Sequence, residues 1–284
     1  MMQHKLVLPD DYRKHRGWNW TLLRMIADSG LFKVSTERFP WVRVDGARNS
    51  NWTMMRVNGA LVGLDTWDTY SPTSAFYNSG FFNEGPLKDL DLVIKIQYYK
   101  CPFWDEFQTN TGIPVKPWTV MPTKDFPLGY FKWKHENHPL MGTITGKNNR
   151  FGRQPWVDWC VKQPDFYAKS DYISTDSLET YRDILKRCRW GIILKGKQRN
   201  HDGKNRRECE FSSCGIPLAL TYQPTYSFPM NPGEHFVLLK NPEDLATLRY
   251  IDPRPYAKAS RYLYQEHFSP QGAAKTLISL VKDL

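Results

Sequence analysis

The sequence lacks most of the features that assign a chain to a class at sight. Its five cysteines, at positions 101, 160, 188, 209 and 214, are odd in number and include no C-x-x-C pair. That argues against a disulfide framework or a structural zinc site and fits reduced thiols in a cytosolic setting. No window approaches about 18 uninterrupted apolar residues, so no transmembrane segment is expected. Met1 to Arg16 is polar, without the apolar stretch of a secretory leader, so none is expected there. Internal repeats and low-complexity tracts are absent. Acidic residues are in deficit, 29 against 39 basic ones, for a formal net charge of +10. That balance points to anionic partners: nucleic acid, a membrane surface or a phosphorylated ligand.

What the chain does have is a core and a concentrated charge. Hydrophobic residues make up 40% of 284 and charged residues 24%, enough for one large or two modest packed domains and against disorder. The positive charge clusters between Arg182 and Arg207, where ten basic residues face only Asp183 and Asp202.

In the first part of the chain the apolar pattern predicts a helix over Trp20 to Ser29 closed by Gly30. Strands are expected at Trp41 to Asp45, Ala60 to Asp65 and Leu92 to Gln97. A short helix is expected at Asp105 to Thr111. Pro114 to Pro139, with five prolines and Trp118, Phe126, Phe131 and Trp133, reads as an irregular crossing between two lobes. Beyond it the pattern alternates. Strands are predicted at Leu140 to Thr145, Trp190 to Leu194, Pro217 to Thr221 and His235 to Leu239. Helices are predicted at Trp156 to Lys162, Ser177 to Lys186, Asn205 to Ser213 and Pro242 to Tyr250. Alternation of this length implies a parallel sheet covered on both faces, hence an α/β fold. Pro270 to Leu284 is amphipathic, with Ala273, Leu277, Leu280, Val281 and Leu284 on one stripe.

The segment that carries chemistry is Lys195 to Leu220. A buried strand runs into a Gly- and Lys-rich loop, then a helix, then a Gly-Ile-Pro turn and a second strand. Ligands of open parallel sheets bind beyond the carboxyl ends of strands. A helix N-terminus there offers unpaired N–H groups and partial positive charge to a diphosphate. Lys195, Lys197, Arg206 and Arg207 add full charges. Glu210, one turn into the helix, has the acceptor pair that suits ribose hydroxyls. Lys147 and Arg150, in the basic loop Gly146 to Arg153, reach the same diphosphate from the facing side in this reading; a solvated basic turn is the plain alternative. Departure of a nucleoside diphosphate leaves growing negative charge, which fixed cations stabilise without a metal or other cofactor.

Arg207-x-x-Glu210, then Cys214-Gly215-Ile216-Pro217 and an apolar strand, resembles the donor-binding segment of GT-B glycosyltransferases, the exostosin-like group in particular. His235 to Leu248 resembles the strand and helix that come next in such enzymes. The resemblance covers roughly residues 140–250. The Cys214-Gly215 order and Leu218, where Val is usual, depart from the pattern, and the N-terminal lobe gives no match. The short chain resembles the small exostosin-like transferases of large algal viruses, which build capsid glycans in the host cytoplasm.

The resemblance implies two Rossmann-like lobes facing a cleft: 1–135 on the acceptor side, 136–265 binding the nucleotide sugar, and 266–284 as a helix returning to the N-terminal lobe. It implies a hexosyl- or pentosyltransferase acting on a UDP- or GDP-linked sugar and an oligosaccharide acceptor, metal-independent and inverting. The base of an inverting enzyme lies in the unmatched lobe. By chemistry it is a carboxylate or His at a strand end, and Asp65 and Asp68 lead, with His135 and His138 next. Turn or cap roles are the plain alternative for these carboxylates. Asp89-Leu90-Asp91 has the form of a metal-binding pair but precedes a strand, which suits turn carboxylates. Tyr222, Tyr226 and Phe228, after the PLALT strand, are candidates for stacking on the nucleobase. Two other readings stay open: a DNA-modifying glycosyltransferase, and a nucleic-acid-binding module without enzymatic activity.

Overall fold

The computed structural model describes residues 3–14, 18–39, 52–66, 88–96, 102–119, 132–134, 138–144, 152–168, 183–195 and 206–284, with the backbone alone at 18, 52, 103, 143, 144, 168 and 206. The chain forms two units, residues 1–121 with 269–284, and residues 122–268. Each is built on its own sheet, and the protein is a mixed α/β structure in which parallel pairing dominates both sheets.

The first unit contains β1 (His4–Pro9), α1 (Trp18–Ala27), β2 (Phe32–Glu37), β3 (Trp52–Val57), β4 (Ala60–Asp65), β5 (Leu92–Lys95), α2 (Pro102–Thr111) and β6 (Val115–Pro117). The sheet order is β2-β1-β3-β4-β5-β6. Only β3 runs against the others, because it is hairpinned to β4. The hairpin turn is Asn58-Gly59, both at positive φ (51° and 102°), the pair a tight type I′ turn requires. α1 starts two residues before the expected Trp20, and Gly30 follows it in the left-handed region at φ 79°. Leu22, Leu23 and Ile26 of this helix pack on Leu6, Leu8, Val62, Leu64, Leu92 and Ile94 of the sheet. The strand expected at Trp41 to Asp45 lies outside the described residues.

The second unit contains β7 (Leu140–Ile144), α3 (Gln154–Val161), β8 (Phe166–Ala168), β9 (Cys188–Ile193), α4 (Arg206–Cys214), β10 (Leu218–Leu220), β11 (Phe236–Leu238), a 3-10 helix (Pro242–Arg249), α5 (Pro253–Leu263) and a π-helical turn (Tyr264–Phe268). Its sheet is wholly parallel in the order β11-β10-β9-β7-β8. The strand order reverses between β7 and β9, so the switch point of the sheet lies there. The WGIIL run is buried in β9, as a strand covered on both faces must be. Gly191 lets α4 sit directly on β9: a Cβ at that position would lie 2.4 Å from the Phe211 ring. Asn241 and Asp244 form a reciprocal cap on the 3-10 helix. Arg249 at its end makes a bidentate pair with Asp165 (2.7 and 2.8 Å).

The C-terminal helix α6 (Pro270–Lys282) belongs to the core of the first unit. It is capped by Ser269, whose hydroxyl accepts the Gly272 N–H. Ala273, Ala274 and Leu277 enter the cluster that holds α1, and the Trp118 indole donates to the Ala273 carbonyl at 3.2 Å. Its two alanines let the helix backbone come close.

Cys160, Cys188, Cys209 and Cys214 are free thiols and buried. Burial pushes Cys160 and Cys188 up to about 12 and Cys209 well above its ordinary range. No helix of the described residues is long and apolar enough to cross a membrane.

Candidate functional site

In the second unit, the carboxyl ends of β9 and β10 are locked together. The Lys195 N–H donates to the Thr221 hydroxyl at 2.8 Å, and the Thr221 N–H donates to the Ile193 carbonyl at 3.2 Å. The Lys195 carbonyl in turn accepts from Arg153 Nε at 3.1 Å. Arg153 immediately precedes α3, on the chain that leaves β7. This bond therefore bridges the β7/β9 switch point, where an open parallel sheet takes its ligand.

Arg207 is in the first turn of α4, the helix that follows β9. Its charge and that of Arg153 both act on the Tyr222 phenol, which follows Thr221 at the end of β10. Arg153 and the Lys195 backbone thus meet at this edge, and the charges of Arg153, from the loop before α3, and Arg207, from the nine-residue helix α4, both reach Tyr222. Cations and helix amides grouped at a strand edge can hold a compact anion such as a diphosphate.

Two acidic residues of α4 are buried, Glu208 and Glu210. Glu208 accepts hydroxyl hydrogen bonds from both Tyr222 and Tyr226, one on each carboxylate oxygen. Burial foremost, then the Glu208 charge and hydrogen bond, push both phenols well above the usual tyrosine range.

The aromatic residues after β10 are not a platform for a base. Tyr222, Tyr226 and Phe228 are all buried. Phe228 is stacked on Tyr226 (centroids 4.7 Å apart, 15° between planes) and on His267 (3.7 Å, 4°), so both of its faces are covered. The sequence signal of aromatics at a strand edge was sound for position and misleading for role, because a hydroxyl partner lies 14 and 18 residues away in α4.

In the first unit, Asp65 ends β4 and lies opposite Lys95, its register partner at the end of β5. Lys95 Nζ sits 2.8 Å from the Asp65 carboxylate, with side-chain exposures of 0% and 2%. The same ammonium is 5.7 Å from the centre of the Trp104 ring. Asp65 is thus at a strand's carboxyl end and enclosed in an ion pair. Asp91 is at the opposite edge, where it accepts the Leu61 N–H at 2.7 Å. His138 bonds through its two ring nitrogens with the Lys186 and Lys134 carbonyls and stacks on Trp133.

Of the other residues singled out in the sequence, Asp68, His135, Lys147, Arg150 and Lys197 lie outside the described residues, and Arg206 is described by its backbone at the start of α4. The structure joins Lys195 to Arg153 at the edge of the second sheet and places Arg207 beside Glu208 in the first turn of α4; sequence reasoning selected neither Arg153 nor Glu208. Arg153 was legible only as the end of a basic loop. Glu208 has no local signal, since its partners come from beyond the next strand.

No protein-family model and no curated protein matches the sequence. Among solved structures the chain is similar to the GtfA/B complex, at 12% identity over 91% of this chain and 54% of that one, with a TM-score of 0.44. It is also similar to HepE of Anabaena in complex with UDP and glucose, at 12% identity over 76% and 68% of the two chains and a TM-score of 0.45. The pneumococcal O-GlcNAc transferase GtfA in complex with UDP and GlcNAc matches at 10% identity over 91% and 54%, with a TM-score of 0.40. The chain spans about half the length of the first and third of these. Likenesses at this level carry nothing about chemistry, which rests here on the residues themselves.

Proposed function

We propose that the protein is a glycosyltransferase that draws its sugar from a UDP- or GDP-linked donor bound at the carboxyl edge of the second sheet. One observation carries the proposal. Arg153 bridges the β7/β9 switch point through the Lys195 carbonyl, and α4, which opens with Arg206-Arg207, follows β9, within a segment whose Arg207-x-x-Glu210 and Gly215-Ile216-Pro217 elements resemble the donor-binding stretch of exostosin-like GT-B enzymes.

In this reading Arg207 and the first amides of α4 take the diphosphate, with Lys195, Lys197, Arg206, Lys147 and Arg150 as further cations. Glu210 takes the ribose hydroxyls. The cations stabilise the departing diphosphate, so transfer proceeds without a metal. The acceptor is a glycan hydroxyl, and Asp65 or Asp68 is the base that activates it for inversion.

Slow donor hydrolysis needs no acceptor, so the test is a panel of UDP- and GDP-sugars incubated with the protein in chelator. Release of the nucleoside diphosphate from at least one donor is expected. Arg207→Ala should weaken donor binding about 10- to 100-fold, the scale of one charge-assisted hydrogen bond. Asp65→Asn and Asp68→Asn separate the two bases: the right one abolishes transfer and leaves donor affinity in place, with Asp65→Asn assayed on protein shown to be folded, since it also breaks the buried ion pair with Lys95. A panel with neither hydrolysis nor binding of any donor overturns the proposal.

A further inference from the structure

Glu208 has no part in the donor reading above, yet it is completely buried in the first turn of α4. Burying a carboxylate costs heavily unless its oxygens are hydrogen-bonded. Here Tyr222 fills one oxygen and Tyr226 the other. Each phenol is anchored elsewhere. Tyr222 adjoins Thr221, whose hydroxyl and N–H hold the end of β9. The Tyr226 ring stacks on Phe228, which stacks on His267, and lies 5.4 Å from Phe268. One carboxylate therefore ties the start of α4 to the ends of β9 and β10 and to an aromatic stack. The helix cannot turn or slide at its first residues without breaking these two buried hydrogen bonds.

Arg207 is the residue before Glu208. A cation that stabilises a leaving diphosphate must be held within a fraction of an ångström of its working position, and that precision comes from the residues that lock its backbone. We propose that Glu208, Tyr222 and Tyr226 are positioning residues for the donor diphosphate, acting through Arg207 and the first turn of α4. The inference rests on the proposed donor site.

The test is calorimetric titration with UDP and GDP, in chelator, of the parent protein and of Tyr222→Phe, Tyr226→Phe, Glu208→Gln and Arg207→Ala. Each Tyr→Phe variant keeps its ring and stacking and loses one hydroxyl. Each should raise the Kd of whichever nucleotide the parent binds about tenfold. Glu208→Gln retains an acceptor for one phenol and offers an amide to the other, and should raise Kd by clearly less than either Tyr→Phe variant. Leu248→Val, in the core cluster of Trp190 and Leu245, should lower the melting temperature and leave Kd unchanged. In an Arg207→Ala background, Tyr226→Phe should change Kd by clearly less than it does in the parent, since the charge it positions is gone and the first amides of α4 remain.

Phenylalanine variants that bind nucleotide as the parent does overturn the positioning role and leave the donor site standing. Additive effects of Tyr226→Phe and Arg207→Ala overturn it equally. A parent that binds neither UDP nor GDP overturns both.

Discussion

Asp65 and Glu208 are both buried carboxylates, one at the carboxyl end of β4 and one in the first turn of α4, and they are satisfied in opposite ways. Asp65 meets a cation, Lys95, on the neighbouring strand. Glu208 meets two phenols from a later loop. The first arrangement balances charge in place. The second keeps a buried negative charge using donors that carry none, beside two arginines whose charges act on the same phenol. The difference teaches where each unit is rigid. The first is pinned across two adjacent strands, the second through a helix that, in the proposed function, presents charge to the donor.

The largest expected effect breaks the first half of that comparison. Lys95→Met removes the cation and leaves Asp65 enclosed, at a cost of about 3–5 kcal/mol. Adding Asp65→Leu should recover much of it. Urea unfolding of the single and double variants checks both. A double variant no more stable than Lys95→Met means that Asp65 is not the buried charge that matters.

The packing of α4 comes next. Gly191→Ala sets a methyl group against the Phe211 ring, where it cannot fit without moving the helix. Overpacking of this kind costs about 1–3 kcal/mol. If α4 shifts with it, donor affinity falls too; unchanged unfolding would show that the helix does not rest on β9 as described.

The phenols give a pH signature that Asp65 and Lys95 do not share. Their folded-state ionisation is raised, so their contribution to stability is complete below the ordinary tyrosine range of about 10. It is lost as pH rises beyond that, because the unfolded chain releases protons the folded one retains. The slope is about 1.4 kcal/mol per pH unit for each phenol. Unfolding free energies measured from about pH 9 to 11, the range that brackets that value, should fall in the parent and fall less steeply in Tyr226→Phe. Equal slopes would place these phenols in water.

The smallest effect concerns the C-terminal helix. Ser269→Ala removes the hydroxyl that caps α6 and should cost about 1 kcal/mol. Thermal unfolding reads it.

How much of this was legible in the sequence varies by element. β9, α4 and β10 were, because WGIIL is an unbroken apolar run and the Gly-Ile-Pro turn marks the boundary between α4 and β10. The amphipathic stripe of α6 was as well. β2 was not: FKVSTE is half-exposed, and its weak pattern reflects a strand at the sheet edge. β3 was missed although Asn58-Gly59 is a strong hairpin signal. α5 was missed because PRPYAKASRYL carries two prolines in its first turn, yet Asp252 accepts the Arg254 N–H as a proper cap. At the site, local chemistry pointed to Arg207 and to the strand edge. The grouping of Glu208 with Tyr222 and Tyr226, and of Arg153 with Lys195, is tertiary, and no spacing in the chain encodes it.

The central claim is that the carboxyl edge of the second sheet holds the diphosphate of a nucleotide sugar. Titration of UDP and GDP into the protein in chelator, alongside Arg207→Ala, tests it most directly. Saturable binding of one nucleotide, weakened about 10- to 100-fold by the substitution, is the predicted result. No binding of either nucleotide, or equal binding by the folded Arg207→Ala variant, contradicts it.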